Sequence, residues 1–275
     1  MESVLIERLS ALSHPKRMGI FRLLVRRYPD QVSAGEITSA LGLKSSTTSV
    51  YLSALKKVGL ISQRRDGTYL FYMANLDTAR DIVSGLFLDC CRGRADLCPE
   101  LLWAQLPTLS DTAGNRTNVL FVCTGNSARS VIAETLLRDI SGDRYNAYSA
   151  GTAAKSELNP LAVEALRSNG HNVSLLRSKS VAEFQCECAT QMDFVFTVCD
   201  QAANEDCPIW PGQPVSGHWG MPDPAKVKAT LAEADQAFQQ TYKALRNRIV
   251  AFSSISVGSL DSGSLQRRID EIGQL

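Results

Sequence analysis

No part of this 275-residue chain approaches the run of about 18 apolar residues that a membrane-spanning helix requires. Glu2, Glu7 and Arg8 interrupt its start too early for a secretory leader. No internal repeat is visible, which speaks against a solenoid or a propeller. A strong charge imbalance is also missing, since the formal net charge is +1. That near-neutrality is unevenly shared: residues 1–110 carry 14 Lys and Arg against 10 Asp and Glu, and the remainder carries 15 against 18. A basic front half is compatible with a polyanion partner. Apolar content of 44% and charged content of 21% are ordinary for a globular protein, and the length favours two domains. Eight cysteines without a leader imply a reducing cytoplasm, where redox chemistry or thiophilic-ion binding fits better than structural disulfides.

The stretch that organises the chain is 118–130. Residues 118–122 form a short, β-branched apolar run that reads as a buried strand, and 131–137 carry apolar residues at helical spacing. Between them stand Cys123, five residues, Arg129 and Ser130. A loop from a strand into a helix N-terminus is an oxyanion cradle, because backbone N–H groups and the positive end of the helix dipole converge on it. Thr124, Gly125, Asn126, Ser127, Ala128 and Arg129 would bind the anion. The same environment lowers a thiol pKa, so Cys123 is expected to be a thiolate near neutral pH, and Arg129 can hold two oxygens of a tetrahedral anion. The plainer alternative is a buried cysteine ending a strand beside an ordinary arginine.

Residues 122–130, Val-Cys-Thr-Gly-Asn-Ser-Ala-Arg-Ser, resemble the anion loop of the low-molecular-weight protein tyrosine phosphatases and of the arsenate reductases that share their fold. The resemblance runs from about residue 118 to the C-terminus. Beyond the loop, a strand at 146–149, a helix at 160–168 ended by Asn169-Gly170, a β-run at 194–198 and one long or broken helix over 225–252 are expected. Residues 260–275 read as a linker and a short packing helix. Alternating strands and helices imply an α/β doubly wound parallel sheet with the anion loop at the carboxyl end of its first strand.

Trp219-Gly-Met-Pro-Asp223-Pro224 resembles the family's acid loop, which makes Asp223 the candidate general acid. In the phosphatases that loop continues with aromatics; here Ala225-Lys226 follow, which argues against an aryl phosphate substrate. His218 reads as a surface or loop residue. Cys199 and Cys207, with the residues around them, look like the redox segment of the arsenate reductases. The resemblance implies that Cys123 attacks arsenate, with Ser130 counted among the catalytic residues, and that Cys199 attacks Cys123 to release arsenite. Cys207 would then resolve the disulfide for thioredoxin. The spacing from Cys199 to Cys207 is one residue longer than in the three-cysteine members, so a glutaredoxin–glutathione route using Cys123 and Cys199 stands beside it. No bound cofactor is expected. Cys186 and Cys188 have no matching second pair, and a zinc site there is not expected.

The front of the chain reads as two helices around Ser13-His14-Pro15, then a capping box from Ser33 to Glu36, a helix to residue 41 and a stop at Gly42. A second helix spans 45–58, with Thr48, Leu52 and Leu55 on its inner face. Strands at 61–65 and 68–73 flank Asp66-Gly67, a hairpin signal. Helix, turn, helix and hairpin make a mainly α winged helix-turn-helix. Ser46, Thr47, Ser49 and Tyr51 could reach base edges, while Lys56 and the wing residues Arg64 and Arg65 could meet phosphates. A winged-helix protein-interaction module is the alternative. The layout is similar to the ArsR-type family of dimeric, arsenic- and metal-responsive repressors, through residues 11–17, 41–43 and 59–60. That resemblance implies a homodimer on operator DNA, with the helix expected over 77–88 lying outside the DNA-reading core. Some members hold an inducer on a cysteine pair in the reading unit, but residues 33–43 contain no Cys. Cys90, Cys91 and Cys98 offer three soft thiolates for arsenite or antimonite instead.

The expected organisation is a DNA-binding domain over 1–104, a linker over 105–117 rich in small polar residues, and a reductase domain over 118–275. The expected function couples thiol-dependent arsenate reduction to arsenite-responsive repression. A phosphate-ester hydrolase and a non-catalytic oxyanion-sensing regulator are the competing readings.

Overall fold

The computed structural model describes residues 2–86, 116–186, 189–205, 210, 214–227, 230–257, 260 and 262–275. Cys90, Cys91, Cys98, Cys188, Cys207 and residues 105–115 of the expected linker lie outside them. The chain divides into two compact units, Met1–Thr108 and Leu109–Leu275.

In the first unit, α1 (Glu2–Leu12) and α2 (Pro15–Arg26) are separated where His14 caps the second helix, its Nδ1 accepting from the Lys16 N–H at 3.2 Å. Pro15, which has no N–H to satisfy, takes the first turn. Strand β1 (Val32–Ser33) leads into α3 (Ala34–Ala40), where Ser33 Oγ accepts from the Glu36 N–H at 3.2 Å. The reciprocal half of the expected capping box is given up, because the Glu36 carboxylate pairs with buried Arg27. Helix α4 (Ser45–Lys57) buries Thr48, Leu52 and Leu55. Strands β2 (Ile61–Asp66) and β3 (Tyr69–Ala74) form the hairpin, turning at Gly67 with φ of 58°. β1 pairs antiparallel with β3, giving the sheet order β1-β3-β2. Helix α5 (Leu76–Ser84) follows, capped by Asn75. Ile20, Leu23, Leu24, Ile37, Leu55 and Leu60 make the core.

The second unit is built on four parallel strands in the order β5-β4-β6-β7: β4 (Thr117–Cys123), β5 (Tyr145–Gly151), β6 (Phe194–Thr197) and β7 (Val215–His218). Helices α6 (Arg129–Ser141), α7 (Pro160–Ser168), α8 (Asp200–Asn204), α9 (Leu231–Ser253) and α10 (Ser262–Gly273) complete it. The order doubles back at β4, so chain leaving β4 and chain leaving β6 diverge at a topological switch point, where open α/β sheets bind ligands. The helix expected over 225–252 is broken: one 3₁₀ turn at Pro224–Lys226 precedes α9, which opens on a capping box between Thr230 and Glu233. Trp219 is fully buried and stacks on Phe196 with ring centroids 4.0 Å apart. Leu265, Ile269 and Ile272 seat α10 as the expected packing helix.

Candidate active site

Cys123 ends β4, and the loop behind it is held from outside. The carbonyls of Cys123, Thr124, Gly125 and Ser127 accept the N–H groups of Thr152, Ala153, Lys155 and Asn159 at 2.8–3.1 Å. With those carbonyls drawn away from the cradle, the Asn126 N–H points at Cys123 Sγ, 3.2 Å away. Asn126 carries a positive φ of 42°, which asparagine tolerates better than most residues. Gly151 permits the tight approach of β5: a Cβ there would stand 2.7 Å from Thr124 O and 2.9 Å from the Asn126 nitrogen.

Asn126 also explains why a glycine would not serve at its own position. Its Nδ2 donates to Ser130 Oγ and to Ser149 Oγ, both at 2.8 Å, and its Oδ1 accepts the Lys179 backbone N–H at 2.6 Å. Ser149 in turn donates to Glu134, whose two carboxylate oxygens receive Lys179 Nζ at 2.8 and 2.9 Å. Asn126, Ser149, Glu134 and Lys179 therefore close a ring of polar contacts beneath the loop, with Asn126 fully buried. Sequence reasoning found none of these supports except Asn126. A glutamate on a helix and a lysine in a loop have no spacing that marks them as partners.

Cys123 is 3% exposed and its Sγ lies 2.9 Å from Ser130 Oγ. Burial pushes the thiol pKa up. The Ser130 hydroxyl pulls it down, the neighbouring Cys199 raises it, and the Ser130 backbone and the Arg129 charge lower it by less. Desolvation therefore works against the lowering expected from the loop environment and is the largest influence on the thiol. The Arg129 guanidinium bridges to the acid loop: Nη1 donates to Met221 O at 2.9 Å and Nη2 lies 3.0 Å from Asp223 Oδ2. Asp223 Oδ1 accepts the Ala225 N–H at 3.2 Å, which fixes the carboxyl's orientation. Buried Arg248, on α9, donates to Trp219 O and Gly220 O at 3.0 and 3.2 Å and anchors the same loop.

Cys199 stands at the other side of the switch point. β4 and β6 pair in register through Val122 and Thr197, and the Val198 N–H donates to Val122 O at 2.8 Å. That pairing brings the two strand-end thiols to one place, and Thr124 Oγ1 lies 3.5 Å from Cys199 Sγ. Cys199 is 1% exposed and caps α8, its sulfur accepting the Ala202 N–H at 3.5 Å. The site thus gathers Cys123, Arg129, Ser130, Asp223 and Cys199. His218, read from the sequence as a surface or loop residue, is buried at the end of β7, because a short strand with no alternating pattern carries it inward. Cys186 is exposed.

On the first unit, Ser46, Ser49, Lys56, Arg64 and Arg65 are exposed, while Thr47 and Tyr51 are half-buried. Tyr51 is turned toward α2, its hydroxyl 3.3 Å from His14 Nε2. Lys56 Nζ donates to Gln63 at 2.8 Å, Arg64 Nε to Gln31 at 2.6 Å and Arg65 Nε to Gly67 O at 3.1 Å. Helix α4 and the hairpin therefore present hydroxyls and cations on adjoining elements.

Among known proteins, the family described as low molecular weight phosphotyrosine protein phosphatase matches residues 118–259, and a helix-turn-helix domain family matches residues 12–64. An arsenate reductase of Bacillus licheniformis is 37% identical over 139 residues, which are 50% of this chain and 96% of that protein. A solved thioredoxin-dependent arsenate reductase of Corynebacterium glutamicum is 26% identical, covering 55% of this chain and 70% of its own, with a TM-score of 0.36. A homodimeric winged helix-turn-helix DNA-binding domain from Mycobacterium bovis is 30% identical, covering 30% of this chain and 73% of its own, with a TM-score of 0.27. No helix among the described residues is long and apolar enough to cross a membrane.

Proposed function

The chain belongs, through residues 118–259, to the low molecular weight phosphotyrosine protein phosphatase family, and we propose that it is a cytoplasmic arsenate reductase fused to an arsenite-responsive DNA-binding repressor. The observation that carries the reductase reading is Cys199, a second buried thiol at the switch point beside Cys123. Hydrolysis of a phosphate ester needs one cysteine, whereas reduction needs a second to take up the adduct. The 37% identity to an arsenate reductase over 96% of that protein supports the same assignment.

The chemistry follows from the geometry. Arsenate enters the loop and is held by its N–H groups and by Arg129. The sulfur of Cys123 attacks arsenic as hydroxide leaves. Asp223 donates the proton that makes the leaving group water and recovers one from the thiol, so this exchange consumes none. Cys199 then attacks the Cys123 sulfur: the S–As bond breaks, the S–S bond forms, and the bonding pair stays on arsenic, which departs as arsenite. Cys207 resolves the disulfide for thioredoxin; the alternative reductant is glutaredoxin with glutathione.

The first unit binds operator DNA as a homodimer, with Ser46, Thr47 and Ser49 toward base edges, Tyr51 held back against His14, and Lys56, Arg64 and Arg65 toward phosphates. Cys90, Cys91 and Cys98 take arsenite, so that the product of one domain releases the other, with the boundary in residues 105–117. If arsenite leaves operator affinity unchanged, or Cys90→Ser has no effect on it, this coupling is wrong.

The deciding assay is arsenate-dependent NADPH oxidation with thioredoxin and its reductase, comparing wild type with Cys199→Ser. The reading expects turnover that collapses in the variant. Turnover only with glutaredoxin and glutathione retires Cys207; silence with both, alongside phosphate-ester hydrolysis, overturns the reductase.

A further inference from the structure

The imidazole of His218 is buried, 2% exposed, and lies outside the chemistry described above. It spans the residues on either side of Cys199. Its Nδ1 is 2.8 Å from Thr197 Oγ1, two positions before the thiol, and its Nε2 is 3.3 Å from Asp200 Oδ1, one position after. Nδ1 can accept from the threonine hydroxyl, whereas Nε2 faces the carboxylate at ion-pair distance without the alignment of a hydrogen bond. The acid loop closes over the pair. A Cβ on Gly220 would stand 2.6 Å from both Asp200 Oδ1 and His218 Nε2, so a larger residue there would push the pair aside. The Trp219 N–H, next in the chain, donates to Thr197 O at 2.8 Å and extends the β6–β7 pairing up to the thiol.

The backbone at Cys199 is held by the β4–β6 pairing, but the sulfur itself has only long contacts. Helix α8 has five residues, and the sulfur's own contacts, to the Ala202 N–H and Thr124 Oγ1, are both at 3.5 Å. A thiol attacking a sulfur–arsenic adduct must approach along the line of the bond it breaks, and a misplacement of about 1 Å can cost 10²-fold in rate. We propose that His218 is a positioning residue of the reductase, which clamps Thr197 and Asp200 and so aims Cys199 at the Cys123 adduct. In the step it serves, the Cys199 sulfur forms the S–S bond, Cys123 releases arsenic with the bonding pair, and the thiol proton leaves on arsenite. The proposal rests on the assignment of Cys199 as the relay thiol.

The test is a single turnover of the full-length protein with arsenate and no external reductant. Two signals are followed: disulfide formation at Cys199, whether still with Cys123 or already passed to Cys207, by quenched mass analysis, and protection of Cys123 from iodoacetamide by arsenate. His218→Leu is expected to slow disulfide formation roughly ten- to a hundredfold while arsenate protection stays at the wild-type concentration. His218→Gln, which can still reach one partner, is expected to recover part of the rate. Disulfide formation at the wild-type rate in His218→Leu overturns the proposal. So does a parallel loss of protection in both variants, which would mean general damage to the site. If the wild-type protein itself forms no disulfide at Cys199, with Cys123 or with Cys207, the relay assignment falls, and the role of His218 falls with it.

Discussion

Replacing Lys179 with methionine keeps most of the buried stem and removes only the charge. The carboxylate of Glu134 then loses both of its ammonium contacts while retaining the Ser149 hydroxyl. The side chains of Lys179 and Glu134 are only 9% and 13% exposed, so water does not replace the cation. Breaking such a pair costs about 3–5 kcal/mol. The carboxylate has one escape, which is to take a proton. For an ordinary glutamate pKa of about 4.3 that costs about 3.7 kcal/mol at pH 7, which caps the penalty, and about 1 kcal/mol at pH 5. At about 2–4 °C per kcal/mol for a unit of this size, Lys179→Met should melt roughly 7–15 °C below wild type at pH 7. The sign with pH follows from the same proton. The variant's folded form gains by binding it, so the deficit is largest above the carboxyl's unfolded pKa and shrinks as pH falls toward it. Thermal melts followed by tryptophan emission at pH 7 and pH 5 measure both, since Trp219 is buried in this unit. A deficit under about 2 °C at pH 7, or one that does not narrow at pH 5, would refute the view of the ring as a charge-dependent support.

Ser130→Ala removes the strongest influence that lowers the Cys123 pKa. The pH of half-maximal iodoacetamide reaction at Cys123 should therefore rise, and an unchanged or lower value would count against the hydroxyl. In Gly151→Ala the new Cβ meets Thr124 O and the Asn126 nitrogen at 2.7 and 2.9 Å. The loop has to yield, and arsenate protection of Cys123 should weaken at least about tenfold, in line with the cost of displaced binding groups; wild-type protection would show the contact to be harmless. Asp223→Asn keeps the shape of the acid loop and removes its proton, so kcat should fall by about 10²–10⁴. Arsenate protection of Cys123 should persist, and a variant with wild-type kcat would remove Asp223 from the reaction.

The parts of the fold that could be read from the sequence were those with local causes. Cys-x5-Arg between an apolar β-run and a helical run marks a strand, a loop and a helix. Asp66-Gly67 between alternating residues marks the hairpin, and the inner face of α4 follows helical spacing. What escaped has non-local causes. β7 reads Val-Ser-Gly-His, with no alternation, and forms because β6 offers it a parallel edge. His218 is buried as a consequence. Helix α8 is too short for a periodic signal, and the break between 226 and 231 divides what composition alone left as one helix or two. The ring under the loop joins residues 126, 134, 149 and 179, which meet only once the sheet is assembled. The upward pull on the Cys123 pKa escaped for the same reason. The donors around Cys123 are written in the loop, but the burial that outweighs them comes from the packed unit.

The burial of Cys123 bears on the order of events in the proposed reductase. It raises the thiol's pKa, so an incoming oxyanion meets less repulsion from the sulfur than the loop donors alone would leave. When the first S–As bond forms, the leaving hydroxyl needs a proton and the thiol must lose one. Asp223, held against Arg129 at 3.0 Å, can donate to the first and recover from the second. Cys199 is held close enough to raise the pKa of Cys123. The arrangement therefore favours delaying ionisation until the anion is bound, when Cys123 has become an arsenic thioester-like adduct and the charge that faced Cys199 has gone. On the proposed reading, the nucleophile and the relay thiol can for that reason share one pocket.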